Sequence, residues 1–206
     1  YVPVSSLEKA QVKQLKQTLI KNLSVQARFL PEFSPVNTEL ELSSSDCFEY
    51  AGVIIRGRVD RVDVNSAQGQ FVVIDYKGSV SGHDAGFDPD KNDSFVLPYK
   101  IQSLIYAQVL KQKLPERPVG ALYFNYRAQE NTHSVAGSYD DAFLNLSGFA
   151  RSASLVKLNF NQYLSLVEEE VSKRLEDMKA GIIEQKPLCN ESCKYCPVTT
   201  CPRRLS

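Results

Sequence analysis

Histidine is scarce in this chain, which carries only His83 and His133. That scarcity argues against histidine-based metal sites and against triad chemistry. Long hydrophobic runs are missing as well. No stretch reaches the roughly 18 apolar residues that a membrane-spanning helix needs, so no membrane span and no membrane partner are expected. No secretory signal is evident, and there are no internal repeats or low-complexity stretches. Net charge is also lacking, because 24 Lys and Arg balance 24 Asp and Glu. The balance does not announce a nucleic-acid partner, yet it does not exclude one, since an acidic metal site can offset a basic rim. Methionine occurs once, at Met178, and the first residue is Tyr1. A piece of a longer, cytoplasmic protein is therefore expected. What remains is 206 residues, 43% apolar and 23% charged. That is enough for one domain of good size with its own core.

The five cysteines are Cys47, Cys189, Cys193, Cys196 and Cys201. Cys47 lies in a strand-like run and reads as a small core residue. The other four crowd into the tail. Without secretory marks, such crowding points to metal or cluster ligation and away from a disulfide framework. Four thiolates suit tetrahedral zinc or an iron–sulfur cluster, and unligated reduced cysteines are the plain alternative.

The stretch Gly57–Ser79 carries the strongest signal. Two β-rich runs, GRVDRVDVN and QFVVIDYK, flank the polar turn Ser66-Ala67-Gln68-Gly69, as a hairpin requires. A turn centred between Ala67 and Gln68 sets Asp60 opposite Asp75. Lys77 then shares a face with Asp75, while Tyr76 points the other way. Opposed residues bring their Cβ atoms to roughly 4.5–5.5 Å, where like charges repel. A divalent cation relieves that repulsion. The competing reading is a solvated salt-bridge quartet of Arg58, Asp60, Asp75 and Lys77. The apolar strands around both acids count against it, because burial raises the cost of an uncompensated carboxylate.

Along the chain, Ser5 to Leu23 is predicted helical, with a Ser5/Glu8 capping box and a stripe at Leu7, Val12, Leu15, Leu19 and Leu23. Val36–Leu42 reads as a strand, then Phe48–Val64 as one long β run. Val80–Asp93 reads as a loop long enough to be functional. Leu97–Lys113 reads as a helix, Val119–Tyr126 as a strand with His133–Ser138 as its partner, and Tyr139–Ser154 as ambiguous. Phe160–Ala180 reads as a helix with a solvated Glu168–Glu170 face, capped by Gly181. This order suggests an α/β fold with a mixed central sheet flanked by helices. The expected organisation is a domain over 1–186 and a cysteine-rich tail over 187–206 packed on it.

The Glu of TELEL, then GRVDRVD, IDYKGS and QSLIY, and finally CNESCKYCPVTTC, stand in the order found in RecB/AddB-type nucleases. The chain resembles that group of the PD-(D/E)xK superfamily, and most closely the C-terminal nuclease domain of AddB-like helicase–nuclease subunits. The stretch PVGALYFNYR also resembles the strand after the QxxxY helix there. The resemblance implies a restriction-endonuclease-like fold and Mg²⁺- or Mn²⁺-dependent hydrolysis of DNA at ends or in single strands, beside a helicase partner. It implies that Asp60 and Asp75 bind metal, with Glu39 as the upstream acid, although Glu41 shares its face. It implies catalytic roles for Asp60, Asp75, Lys77, Gln102 and Tyr106, and a structural [4Fe–4S] cluster on the tail, with zinc as the alternative. Two features depart from the group. No histidine precedes His83, and the upstream cluster cysteine is absent while the tail has four, so Cys189 is either spare or a substitute ligand beside Cys193, Cys196 and Cys201.

The chemistry of such a site follows from its groups. Mg²⁺ takes hard oxygen ligands, usually one or two carboxylates with waters and phosphate. Asp60 and Asp75 supply carboxylates, and the Tyr76 carbonyl is a further candidate ligand. Lys77 can hold the attacking water or steady developing charge. Gln102 and Tyr106, four apart on a helix, share a face and can meet phosphate or orient Lys77. Two rival readings remain: a nuclease-like module that binds DNA or a helicase without cutting, and a small zinc-binding DNA module.

Overall fold

The computed structural model describes residues 2, 5–43, 48–80, 95, 97–98, 100–128, 134–149, 155–157, 159–182, 193–194 and 196–204. Two compact units are present, Tyr1–Glu170 and Val171–Ser206.

Helix α1 spans Ser6–Phe29. Ser5 caps it: the Ser5 side chain accepts the Glu8 N–H at 3.1 Å, and Glu8 Oε2 accepts the Ser5 N–H at 2.9 Å. The capping box is the predicted one, but the helix runs a turn and a half beyond Leu23. Its buried face also differs from the predicted stripe. Asn22, Val25 and Phe29 are buried, whereas Leu7, Leu15, Leu19 and Leu23 are exposed. Polar anchoring decides this. Asn22 Nδ2 donates to the Tyr126 carbonyl at 2.7 Å, and Lys21 Nζ donates to the Ala128 carbonyl at 2.9 Å. Those two bonds fix the rotation of the helix.

Among the described residues, six strands form the main sheet in the order β1-β4-β5-β6-β7-β8: β1 Ser34–Leu42, β4 Gly57–Asn65, β5 Gln70–Lys77, β6 Arg117–Asn125, β7 Val135–Tyr139 and β8 Leu155–Lys157. The β4–β5 hairpin is antiparallel, and β5 pairs parallel with β6. A parallel pair needs a crossover, and helix α2 (Gln102–Leu110) lies in that connection. The sheet is therefore mixed. The predicted β run over Phe48–Val64 is broken: β2 (Glu49–Tyr50) and β3 (Val53–Ile54) form a separate two-stranded ribbon. Its two-residue loop, Ala51-Gly52, has φ of 50° and 73°, and positive φ at both positions matches the twist of a tight hairpin. Strand β8 and the assignment of Tyr139–Ser154 had no periodic signal. Helix α3 spans Phe160–Lys179, and Gly181 follows it at φ 75°.

The core lies between β5, β6, β7 and α1. Val72 and Ile74 pack with Val25 and Phe29, joined by Leu122 and Phe124. Each such side chain contributes roughly 1.5–3 kcal/mol when fully buried. Tyr76 packs edge-on to Phe124, so the even-numbered residues of β5 face α1 and Asp75 and Lys77 face the other way. Glu168 is not on a solvated face. It accepts from Gln108 Nε2 at 2.5 Å and from the Ala51 N–H at 3.1 Å, tying α3 to α2 and to the ribbon.

Candidate active site

The hairpin register is the one the turn dictates. Arg61 pairs with Ile74 and Asn65 with Gln70 across the loop Ser66–Gly69. One step beyond Arg61–Ile74 stand Asp60 and Asp75. The backbone ladder stops there, and the Tyr76 N–H goes to Asp60 Oδ2 at 2.8 Å. Asp75 is buried, at 2% exposure, which rules out the solvated quartet. Arg58 is also engaged elsewhere, 3.1 Å from Glu39. Lys77 Nζ stands 2.5 Å from the buried Asp75 Oδ2 as an ion pair. Burial pushes the Asp75 carboxyl above its ordinary value; Lys77 opposes the rise and the Asp60 charge adds to it.

Helix α2 completes the arrangement. Lys77 Nζ donates to Gln102 Oε1 at 3.2 Å, and Gln102 Nε2 donates to the Tyr106 hydroxyl at 3.0 Å. Asp75, Lys77, Gln102 and Tyr106 are thus one continuous polar chain, possible because a four-residue spacing puts Gln102 and Tyr106 on one helix face. Gly57 makes room for it. A Cβ there would sit 2.7 Å from the Tyr106 hydroxyl. A cleft of about 530 Å³ opens onto this chain, lined by Arg56, Lys77, Lys100, Gln102 and Tyr106 with Ile55, Ile101 and Ile105. Three of its lining side chains are cationic, which suits a polyanionic ligand.

Glu39 lies on β1 between the pairs Thr38–Arg61 and Leu40–Val59, abreast of Asp60. Its φ is 52°, a left-handed conformation that costs a non-glycine residue of order 1 kcal/mol or more and that clusters at functional sites. Its carboxylate turns to Arg58. Glu41 pairs with Arg58 one step farther along. Among the described residues, no three His, Cys, Asp or Glu side chains converge as a metal-holding group. The acidic pair nevertheless fits a divalent cation: the buried Asp75 carboxylate stands beside a second acid, Asp60, with Lys77 as its ion-pair partner, and one ammonium balances only one of the two negative charges.

In the tail, Cys193 is buried and Cys196 and Cys201 are half-buried, and none of the three is in a disulfide. The Cys196 N–H donates to the Cys193 carbonyl at 3.3 Å, and Arg204 donates to the carbonyls of Cys196 and Val198. Cys189, like Cys47, His83, His133 and most of the Val80–Asp93 loop, lies outside the described residues.

Three residues next to the site, Arg61, Asp63 and Gln26, carried little or no signal in the sequence. Arg61 and Asp63 form a two-pronged ion pair, Nε and Nη2 each 2.5 Å from the carboxylate, on the face turned toward α1. The available signal was their i, i+2 spacing between buried valines. Gln26, accepting from both Arg61 and the Tyr76 hydroxyl, had no signal at all.

A mixed sheet with an acid pair and a lysine at the open end of its central hairpin defines a restriction-endonuclease-like α/β protein. The family model of the PD-(D/E)XK nuclease superfamily matches residues 4–202, and the chain belongs to that superfamily. No curated protein matches it.

Proposed function

We propose that this domain is a Mg²⁺- or Mn²⁺-dependent deoxyribonuclease, an exonuclease of RecB/AddB type acting on DNA ends or single strands. One observation carries the reading: the buried Asp75 carboxylate, set beside Asp60 and paired with Lys77. Asp60 and Asp75 would hold the cation, with Glu39 and the Tyr76 carbonyl as additional ligands. Bound Mg²⁺ supplies charge neutralisation on the phosphoryl oxygens and a more acidic water. Lys77, paired with Asp75 and aimed by Gln102, holds the attacking water and steadies charge as it develops. Tyr106 fixes Gln102. Arg56 and Lys100 draw the phosphate backbone into the cleft.

Residues 1–186 form the nuclease domain of a cytoplasmic repair and recombination protein with a helicase partner. Residues 187–206 carry Cys189, Cys193, Cys196 and Cys201 for a structural [4Fe–4S] cluster, or zinc. Among the described residues no helix is long and apolar enough to cross a membrane.

Nuclease assays with Mg²⁺ on single- and double-stranded DNA test the central claim. Cleavage lost on Asp60→Ala and on Asp75→Ala supports it. A parent protein that binds DNA and never cuts identifies a binding module instead. Iron and sulfide analysis of anaerobically purified protein tests the tail, and stoichiometric zinc without iron rejects the iron–sulfur assignment.

A further inference from the structure

We infer that Gln26, Arg61 and the Tyr76 hydroxyl, all on the α1 face of the sheet, are positioning residues for Asp60 on the opposite face. The inference rests on the reading of Asp60 as a metal ligand. Gln26 Oε1 accepts from Arg61 Nη1 at 2.5 Å and from the Tyr76 hydroxyl at 2.7 Å, and Arg61 Nη1 also donates to that hydroxyl at 3.2 Å. Asp63, fully buried, holds the other side of the guanidinium. Three elements therefore meet at one amide oxygen: α1 through Gln26, β4 through Arg61 and β5 through Tyr76.

Both strands pass this junction to the site in a single residue. Arg61 is the residue after Asp60, and Tyr76 is the residue after Asp75. Adjacent strand residues point to opposite faces, so fixing Arg61 and Tyr76 on one face fixes the two carboxylates on the other. The link is tightest at Tyr76. Its hydroxyl is held at Gln26, while its own N–H grips Asp60 Oδ2 at 2.8 Å. That bond lies past the last backbone pair, Arg61–Ile74, where the hairpin has no ladder to hold it. The α1 network replaces the missing rungs. The cluster is part-buried around a fully buried Asp63, and it favours one geometry, because a shift breaks hydrogen bonds that are only partly replaced by water.

The Gln26 side chain acts here only as an acceptor, which gives a discriminating pair of variants. Gln26→Glu keeps an acceptor for both Arg61 and Tyr76; Gln26→Leu removes it. Tyr76→Phe removes the hydroxyl and keeps the ring against Phe124. The first readout is the Tyr76 backbone amide in ¹⁵N NMR spectra of metal-free protein, with Asp60→Asn marking the position of the released amide. The second is Mn²⁺ affinity by calorimetry. Gln26→Leu and Tyr76→Phe are expected to move the Tyr76 amide toward the Asp60→Asn position and to weaken Mn²⁺ binding three- to ten-fold. Gln26→Glu should leave both near the parent. Phe29→Leu, which loosens the α1 core without touching the network, should lower stability and move neither readout. A Tyr76 amide unmoved by Gln26→Leu and Tyr76→Phe overturns the positioning role, as does Mn²⁺ affinity equal to the parent in both variants. A parent that binds no Mn²⁺, with the amide responding as expected, overturns instead the metal-site reading beneath it.

Discussion

Lys77 Nζ lies 2.5 Å from the buried Asp75 Oδ2, two residues away on the same strand face. The ammonium compensates a carboxylate that burial would otherwise drive toward its neutral form. The same ammonium is aimed by Gln102 toward the cleft, so one lysine both opposes the upward push on the Asp75 carboxyl and faces the substrate side.

Replacing that lysine separates metal binding from catalysis. Lys77→Ala should lower DNA cleavage by about 10²–10³-fold, the usual loss on removing one charge-stabilising group from a reaction centre. Mn²⁺ binding should persist at neutral pH. Steady-state cleavage rates and calorimetry on the same preparation check this, and full activity in Lys77→Ala would remove Lys77 from the mechanism.

The raised Asp75 carboxyl sets a pH dependence of definite sign. A protonated Asp75 cannot ligate a cation, so Mn²⁺ affinity should fall as pH falls, at a higher pH than for an ordinary aspartate. Lys77→Ala should move that midpoint higher still, because the lysine opposes the rise. Metal-free stability should run the other way. The native protein holds the Asp75 proton more tightly than the unfolded chain does. Stability therefore declines as pH rises from the unfolded value of 3.8 through the raised native one. Calorimetric titrations at several pH values and urea melts with and without Asp75→Asn measure both slopes. Parallel slopes in parent and Asp75→Asn would show that another group is responsible.

Gly57 is expected to be intolerant of even one methyl group. A Cβ there meets the Tyr106 hydroxyl at 2.7 Å and the ring at 3.3 Å, and Tyr106 is buried at 7% exposure. Gly57→Ala should displace Tyr106, loosen Gln102 and lower cleavage about ten-fold or more, while Mn²⁺ binding stays close to the parent. Adding Tyr106→Phe in the same chain should restore part of the packing and none of the activity. Thermal melts and cleavage rates of the single and double variants decide the matter.

Asp63→Ala strands the Arg61 guanidinium, whose side chain is 13% exposed. Breaking a buried pair by removing one partner costs about 3–5 kcal/mol, which for a domain of this size lowers Tm by roughly 10 °C. Replacing both by apolar residues, Arg61→Met with Asp63→Leu, should cost less than Asp63→Ala alone. Urea unfolding of the three proteins gives the comparison.

Some of this was written locally in the chain. The period-two pattern of GRVDRVDVN and QFVVIDYK with a polar turn between them determines the hairpin register, because a slip of one residue would turn every valine to the wrong face. That register alone places Asp60 across from Asp75 and puts Lys77 on the same side. The Ser5/Glu8 cap and the shared face of Gln102 and Tyr106 are equally local, since each depends on residues three or four apart. What lay beyond the sequence depends on contacts between distant segments. Which face of α1 is buried was decided by Asn22 reaching Tyr126, against the pull of a leucine stripe. The left-handed turn at Glu39 arose where β1 meets β4. The Arg61–Asp63–Gln26–Tyr76 junction needed a helix and two strands to arrive at one point. Periodicity reports which residues share a face, but only the packed structure sets which face is opposed, and by what.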